Sequence, residues 1–574
     1  MIEATGVQII VKLLEQQGIK QVAGIPGGSV LPLYDELVRS SIKHILVRHE
    51  QAAGFIAQGI ARTTGQPAVC IATSGPGAMN LLTAIADARC DSIPLVAITG
   101  QVNSYLIGTD AFQEADTFGL SFPITKHSIL VKSPTELLQA IPKAFSIAMS
   151  GRPGPVLIDI PRDVQLAKCQ FEKWPSPGKL EKSSIRFSTE GSELDVAIEN
   201  FAKTLAASKR PVFFAGGGCN TPQSAKALDK LLQVYPMPVV SSLMGIGCLP
   251  ESNKLWCGMV GMHGSTTANQ IIYDSDVVFA AGVRFDDRAT GIVSQFCPKA
   301  KILHVDIDAA EVNKILPSSY HIIADCESII PAVTQRLREL DNLEPVNPWL
   351  ENVQKLKQKN ITVENKSKQK TNNINPKEFI SSVPEMANKA GISPDALIVT
   401  TDVGQHQMWS AQAFPVEKPR QFLTSGSLGT MGFGLPVAIG AAFANPDKRI
   451  ICFSGDGSIM MNIQELATLA EHNLNVTVIV FENGSLGMVR QQQEFLFNKN
   501  YSASIFLKQP DLITIAKGFG IPAVDVAENN EWYNLAFPKN GGPAFVRCKI
   551  PQEENVFPFV PAGKPNIDAI TGLN

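Results

Sequence analysis

Two apolar runs, Arg449 to Phe453 and Val476 to Phe481, each lead into an oxygen-bearing side chain: Asp456 in Ser454-Gly455-Asp456-Gly457-Ser458, and Asn483 in Phe481-Glu482-Asn483-Gly484. Between them Ile459, Ile463, Leu466 and Leu469 recur at helical spacing, which predicts a helix starting near Ser458. Strand, helix and strand make one βαβ unit. Its right-handed crossover makes the strands parallel and sends both exits to the same carboxyl edge of a sheet. There one carboxylate and one amide oxygen can share a metal ion. Two hard oxygen ligands, glycines that admit a ligand to the backbone and a helix amino terminus suit Mg²⁺ and a diphosphate group. Alone, a strand followed by Gly-Asp-Gly is as often a simple tight turn; the acid-to-amide spacing favours the site.

A chain of 574 residues exceeds one hydrophobic core. Two polar stretches, Glu172 to Phe187 and Asp341 to Pro376, interrupt an otherwise steady alternation of short apolar strands and helical patterns. They read as linkers between three α/β domains on mostly parallel, doubly wound sheets, over residues 1–175, 188–340 and 377–574. The first and third look like copies. Ala68 to Thr73 leads into Ser74-Gly75-Pro76-Gly77, a helix and a strand ending at Gly100, as Ile450 to Phe453 leads into Ser454-Gly455-Asp456-Gly457, a helix and a strand ending at Asn483. Pro76 stands where the third domain has Asp456, so the first copy cannot hold a metal in the same way. A net charge of −3 gives no electrostatic case for nucleic acid or a membrane surface. The ten cysteines form no CxxC pair and read as reduced core residues, and no uncharged apolar run reaches the length of a spanning helix. A cytoplasmic protein is expected.

The Gly-Asp-Gly-Ser motif followed by Asn483 resembles the diphosphate anchor of thiamine-diphosphate enzymes. Beside that resemblance, Glu50 in Val47-Arg48-His49-Glu50-Gln51 gains a second reading. An acid at a helix start is ordinarily a dipole partner. A carboxylic acid is also what the pyrimidine N1′ of thiamine needs to shift the ring toward the imino form that deprotonates C2. Further stretches extend the likeness over nearly the whole chain: Ile25-Pro26-Gly27-Gly28, Gly108-Thr109-Asp110-Ala111-Phe112-Gln113-Glu114, Ser150-Gly151-Arg152-Pro153-Gly154-Pro155, Arg284-Phe285-Asp286-Asp287-Arg288, Asp402-Val403-Gly404-Gln405-His406 and Gly429-Thr430-Met431-Gly432. The sequence resembles the catalytic large subunit of acetohydroxyacid synthase (acetolactate synthase), most closely the enterobacterial isozyme I type.

The resemblance implies a thiamine-diphosphate carboligase that decarboxylates pyruvate and transfers a hydroxyethyl unit to a second pyruvate or to 2-oxobutyrate, in branched-chain amino-acid biosynthesis. It assigns Glu50 to the pyrimidine, Gly429 and Met431 to the opposite side, and Val403, Gly404, Gln405, His406, Gly457, Ser458, Leu486, Gly487 and Met488 to the diphosphate. Met431 read alone is an ordinary core methionine. The metal ligands would be Asp456, the Asn483 side chain and the Ser485 carbonyl. Phe112 and Gln113 would stand beside the reacting carbon, although Asp110 to Asp116 read alone is a polar surface turn. Arg288 would hold the second substrate's carboxylate, or else pair with Asp286 and Asp287. An FAD site is implied at Arg152, Gly216, Gly217, Gly261, Met262, His263, Gly264, Arg284, Asp306, Asp308 and Asp325; the residues alone offer only a strand running into glycines and a strand ending in acids. A homodimer sharing its active sites and a regulatory small subunit are implied as well. Two positions depart from the pattern: Gln492 where tryptophan is frequent, which puts a preference for 2-oxobutyrate in doubt, and Arg162 where lysine is common. The competing readings are a pyruvate oxidase-type flavoenzyme and a non-catalytic scaffold.

Overall fold

The computed structural model describes residues 1–177, 192–341, 343, 346–367 and 373–572. Three six-stranded sheets follow one another along the chain, and every strand pairing within them is parallel. The first contains Gln21–Gly24, Lys43–Leu46, Ala68–Ala72, Leu95–Gln101, His127–Leu130 and Pro155–Pro161; the third contains Leu397–Thr401, Phe422–Leu423, Arg449–Gly455, Val476–Glu482, Ala523–Asp525 and Ala544–Lys549. With the strands of each sheet counted in chain order, both run 2-1-3-4-6-5 across the sheet. The duplication expected from the two glycine motifs is therefore present at the level of topology. The middle sheet, from Pro211–Ala215 to Tyr320–Ile323, runs 3-2-1-4-5-6, the order of dinucleotide-binding sheets. Helices cover both faces, so the inner strands, such as Leu95–Gln101, Val277–Ala281 and Leu397–Thr401, are buried from end to end and read as continuous apolar runs.

In all three sheets the direction of winding reverses beside the first strand, and a crevice opens at the carboxyl edge there. In the third sheet it lies between the exits of Leu397–Thr401 and Arg449–Gly455; in the middle sheet, between those of Pro211–Ala215 and Val277–Ala281. Asp456 and Asn483 leave adjacent strands in register, Gly455 opposite Phe481, as the crossover rule requires. The helix between them is not continuous. It forms Asp456–Ile459, breaks, and resumes as Glu465–Glu471. At the break stands Asn462, a buried residue whose amide donates to Gly432 O (2.7 Å) and to Gln51 Oε1 (3.2 Å).

The polar stretch 341–376 contains the helix Asn347–Ser367. Its apolar residues are few, but Trp349 and Val353 are buried against the middle sheet's core, and Trp349 Nε1 donates to Pro211 O at 3.1 Å. A narrow stripe suffices to dock a helix whose other faces meet water, which is why composition alone reads as a linker. Residues 178–187 of the first expected linker lie outside the described residues.

The first and third sheets share one core through the helices Glu50–Thr64 and Gly434–Ala444. Phe55 and Phe433 meet edge to face at 5.4 Å, and the Arg62 guanidinium lies over Phe433 at 4.9 Å. The backbones touch where both helices carry glycine: a Cβ on Gly59 would stand 2.2 Å from Val437 O, and one on Gly440 2.0 Å from Ile56 O. No side chain fits there without separating the helices. Gly440→Val should therefore destabilise the protein by about 1–3 kcal/mol, the usual cost of overpacking. A thermal melt unchanged from wild type would show that the contact is not tight.

Candidate active site

The crevice of the third sheet opens into a cavity of about 830 Å³. Around it stand Val403, Gly404, Gln405 and His406 from one strand exit, Gly429 and Met431 from the next turn, Asp456, Gly457 and Ser458 from the neighbouring strand, and Asn483, Ser485, Leu486, Gly487 and Met488 from the one after. The structure thus brings together all the residues expected at a diphosphate and its metal. Two helices, Gln405–Ala413 and Gly487–Leu496, start at this cavity without a side-chain cap. Their first residues line it, so unpaired amides and the positive ends of two dipoles converge on one space. His406 is buried, its Nε2 has no partner among the described residues, and burial lowers its pKa to about 3, which leaves it neutral. A Cβ on Gly455 would stand 2.9 Å from the His406 ring. These features fit a bound diphosphate, which supplies the acceptor oxygens the amides and imidazole lack.

The Asp456 carboxylate is buried, and its Oδ2 accepts from the Asn483 amide (3.1 Å), the Gly484 amide (2.7 Å) and the Gln509 side chain. Burial raises its pKa to about 6, against the lowering effect of those amides. The Asn483 oxygen accepts from Ser485 N and Oγ, both at 3.1 Å, and Asn483 Nδ2 donates to Gln405 Oε1 at 3.2 Å. One acid, one amide and a serine turn are thereby joined on one edge, a hard-oxygen donor set that fits Mg²⁺ better than softer metals. Among the described residues no cluster of three His, Cys, Asp or Glu side chains offers a rival metal site.

Glu50, Phe112 and Gln113 do not line this cavity. They gather at the matching turn of the first sheet. Glu50 starts its helix, accepts from Asn80 Nδ2 at 2.9 Å and packs over Gly77, where an added Cβ would approach Glu50 Oε1 to 3.3 Å. Gln113 packs on Gly75, two residues earlier. Phe112 beside it is 88% exposed, so nothing among the described residues covers it. The chain thus carries two separate groups of candidate residues at the corresponding edges of its duplicated sheets.

Arg288 is exposed, lies 3.6 Å from Asp287, and lines the large cavity from the middle domain together with Met262, His263 and Arg284. A second cavity, of about 330 Å³, occupies the middle sheet's crevice and shares Arg284, Asp286, Ser242, Met244 and Glu311 with the first. Arg152, Gly217, Asp306 and Asp325 line it. Arg152 pairs with Glu311 (2.8 Å) and Asp308 (3.3 Å), and Asp325 caps the helix Cys326–Arg338. Two continuous cavities joined by an arginine suit an elongated dinucleotide such as FAD. Gly216 has a different reason to be glycine, since a Cβ there would stand 1.8 Å from Gly282 O. Gly261, at φ +111°, lets the turn through Gly264 pack on Arg288, with Met262 N donating to Arg288 O at 2.9 Å. His263 is buried, holds Pro558 O at 3.0 Å and has its pKa lowered to about 4 by burial.

Several residues about the site escaped sequence reasoning. Asp402, fully buried, accepts from Val403 N (2.9 Å) and Gly432 N (2.8 Å) and so joins the diphosphate turn to the Met431 turn. An acid closing an apolar strand ahead of glycine was the available signal, the same one that marks Asp456. Asp87 and Asp91, both buried on Arg62, hold Thr430 Oγ1 (2.9 Å) and the amides of Gly426 and Ser427 (2.9 Å each). No local pattern announces that network, because its two halves, Arg62–Asp91 and Gly426–Thr430, lie more than three hundred residues apart.

Comparison with known families identifies all three domains. The N-terminal thiamine pyrophosphate-binding domain of thiamine pyrophosphate enzymes matches residues 4–120, the central domain residues 198–333 and the C-terminal thiamine pyrophosphate-binding domain residues 402–548. The chain is 48% identical to the acetolactate synthase isozyme 1 large subunit of Escherichia coli, over 99% of this chain and 97% of that one. It is 40% identical to the isozyme 2 large subunit of the same organism, over 99% and 100%, and 43% identical to a probable acetolactate synthase large subunit of Methanocaldococcus jannaschii, over 92% and 88%. With three such domains in order and relatives matched over nearly its full length, the chain belongs to the acetolactate synthase large-subunit family of thiamine pyrophosphate enzymes.

Proposed function

We propose that this chain joins pyruvate, after loss of CO₂, to a second pyruvate or to 2-oxobutyrate, giving 2-acetolactate or 2-aceto-2-hydroxybutyrate, with Mg²⁺ and FAD accompanying thiamine diphosphate. The observation that carries the reading is the convergence of two uncapped helix amino termini, the unpartnered His406 Nε2 and the Asp456–Asn483–Ser485 edge on one cavity that Arg288 also faces. Bound there, thiamine diphosphate supplies the electron sink for decarboxylation and carbon–carbon bond formation. The chain's part is to bind, orient and protonate. Asp456, Asn483 and the Ser485 carbonyl would hold the metal; the turns at 403–406 and 486–488 would hold the diphosphate; Gly429 and Met431 would shape the space between the rings. Glu50 would share a proton with the pyrimidine N1′. Gln113 would donate to a substrate oxygen, and the Arg288 guanidinium, a planar fork, would hold the acceptor's carboxylate.

Glu50 and the metal edge belong to separate half-sites, and Phe112, 88% exposed, accompanies Glu50. This supports two copies of the chain completing each other's sites, Glu50 and Gln113 from one and Asp456 and Asn483 from its partner. The "large subunit" names of the relatives support a small regulatory subunit as a further partner. No helix among the described residues is long and apolar enough to cross a membrane, and we place the enzyme in the cytoplasm with branched-chain amino-acid biosynthesis.

Purified protein supplied with pyruvate, Mg²⁺, thiamine diphosphate and FAD should form 2-acetolactate; absence of product with all cofactors bound would overturn the reading. Glu50→Gln should retain cofactor affinity and slow hydrogen–deuterium exchange at the thiamine C2 by about 10²-fold or more, the scale of lost acid–base assistance. Wild-type exchange in that variant would remove Glu50 from the chemistry. Because the overall reaction has no net redox change, bound flavin should stay oxidised during turnover. Bleaching of its absorbance, one reduction per pyruvate consumed, would mark an oxidase instead.

A further inference from the structure

The loop that carries Phe112 and Gln113 runs from the end of the strand Leu95–Gln101 to the short helix Thr117–Ser121. Gln113 has φ +59°, a conformation that side-chain-bearing residues adopt only when their surroundings impose it. Beneath the loop lies a buried chain of hydrogen bonds. Thr99 and Asp159 face each other in register on adjacent strands, and Asp159 Oδ1 accepts from Thr99 Oγ1 at 2.7 Å. Asp159 Oδ2 accepts from Gln101 Nε2 at 3.0 Å, and the same Nε2 donates to Ala115 O at 2.8 Å. Gln101 Oε1 meanwhile accepts from Val102 N at 2.8 Å. Thr99, Gln101 and Asp159 are all at most 3% exposed. Both amide hydrogens and the oxygen of Gln101 are thus committed, and turning the amide over would set its oxygen against a carboxylate and a carbonyl. The side chain has a single orientation. At the loop's other end, Asp163 accepts from Ser104 N at 2.9 Å and from Ser104 Oγ. Within the loop, Glu114 gathers the amides of Gly108 and Ala111 (3.0 Å for Ala111).

We propose that Asp159 and Gln101 are positioning residues for carboligation: the buried Asp159–Gln101–Ala115 link fixes the loop so that Gln113 rests on Gly75, beside the turn that Glu50 covers. The inference rests on the proposed role of Gln113. Two strands already pair through Thr99 and Asp159, so the sheet does not need the second hydrogen of Gln101; the loop does. Neither residue reaches the 830 Å³ cavity, and neither touches a metal or diphosphate position. Their removal therefore acts on the loop that carries Gln113 and leaves the metal and diphosphate positions untouched.

The test compares Gln101→Met, which keeps length and loses the donors, with Asp159→Asn, whose amide can still accept from Gln101 and donate to Thr99, in the fully loaded enzyme. Gln101→Met should lower kcat for 2-acetolactate formation by about 10- to 100-fold, the scale of a small misplacement of a reacting group, with thiamine-diphosphate affinity by calorimetry held within about twofold. Amide hydrogen exchange should quicken in residues 104–116 and nowhere else in the first domain. Asp159→Asn should restore turnover to within about threefold of wild type, because it preserves the link. Unchanged loop exchange in Gln101→Met, or a loss of turnover matched by an equal loss of cofactor affinity, would overturn the proposal. Gln113→Ala, run alongside, separates the two layers. If that variant turns over normally, Gln113 has no part in the chemistry and the clamp loses its claim on turnover; if it is impaired while Gln101→Met is not, the role of Gln113 stands and the clamp alone falls.

Discussion

A buried carboxylate must find donors, and in this protein two of them find the backbone amides of the turn next door. Asp456 closes on the amides of 483 and 484, and Asp402 on those of 403 and 432. Burial raises both acids to about 6, so each amide bond works against a desolvation cost that the fold imposes. The result is that four separate turns, each at the end of its own strand or following one, are held in one fixed arrangement around a cavity. Everything proposed for the metal and the diphosphate depends on that arrangement. The parallel sheet brings the strand exits to one edge; the two carboxylates convert proximity into geometry.

Duplication gives the chain two different groups of candidate residues, and the proposed function joins them across two copies. Both outer sheets have the same strand order and the same kind of glycine turn after the third strand, but one turn carries Asp456 and the other Pro76. The proline copy surrounds itself with Glu50, Asn80 and Gln113, groups suited to a ring nitrogen or a substrate oxygen. Within the chain the two copies meet through the glycine-lined helices Glu50–Thr64 and Gly434–Ala444, a contact that leaves the Glu50 carboxylate outside the metal-side cavity. A second copy is the natural source of the missing half in each case. The middle domain contributes Arg288 and Arg284 to the rim of the same cavity and, through Arg284, connects it to the smaller cavity proposed for FAD.

Much of this was legible in the sequence for physical reasons. The βαβ unit around Asp456 and Asn483 could be placed because parallel crossovers have one hand, and the duplication because strand, glycine turn and strand recur in order. Composition misled at the helix Asn347–Ser367, where three or four apolar residues in a polar stretch were enough to dock it, and periodicity misled after Ile459, where the helix stops and resumes only at Glu465. The loop of Phe112 and Gln113 read as a surface turn until family likeness marked it. Asp87, Asp91, Gln101 and Asp159 were not legible as parts of a site, because their roles arise from partners distant in sequence or from the neighbouring strand.

The sharing of the site between copies is tested most directly by subunit complementation. Glu50→Gln and Asp456→Ala each damage a different half-site and should each be inactive alone. Co-assembled in equal amounts, half of the dimers should be mixed, and each mixed dimer should contain one site with both halves intact, so activity should recover to about a quarter of wild type. No recovery in preparations shown to contain mixed dimers would mean that Glu50 and Asp456 serve the same site from the same chain, and would contradict the shared site proposed here.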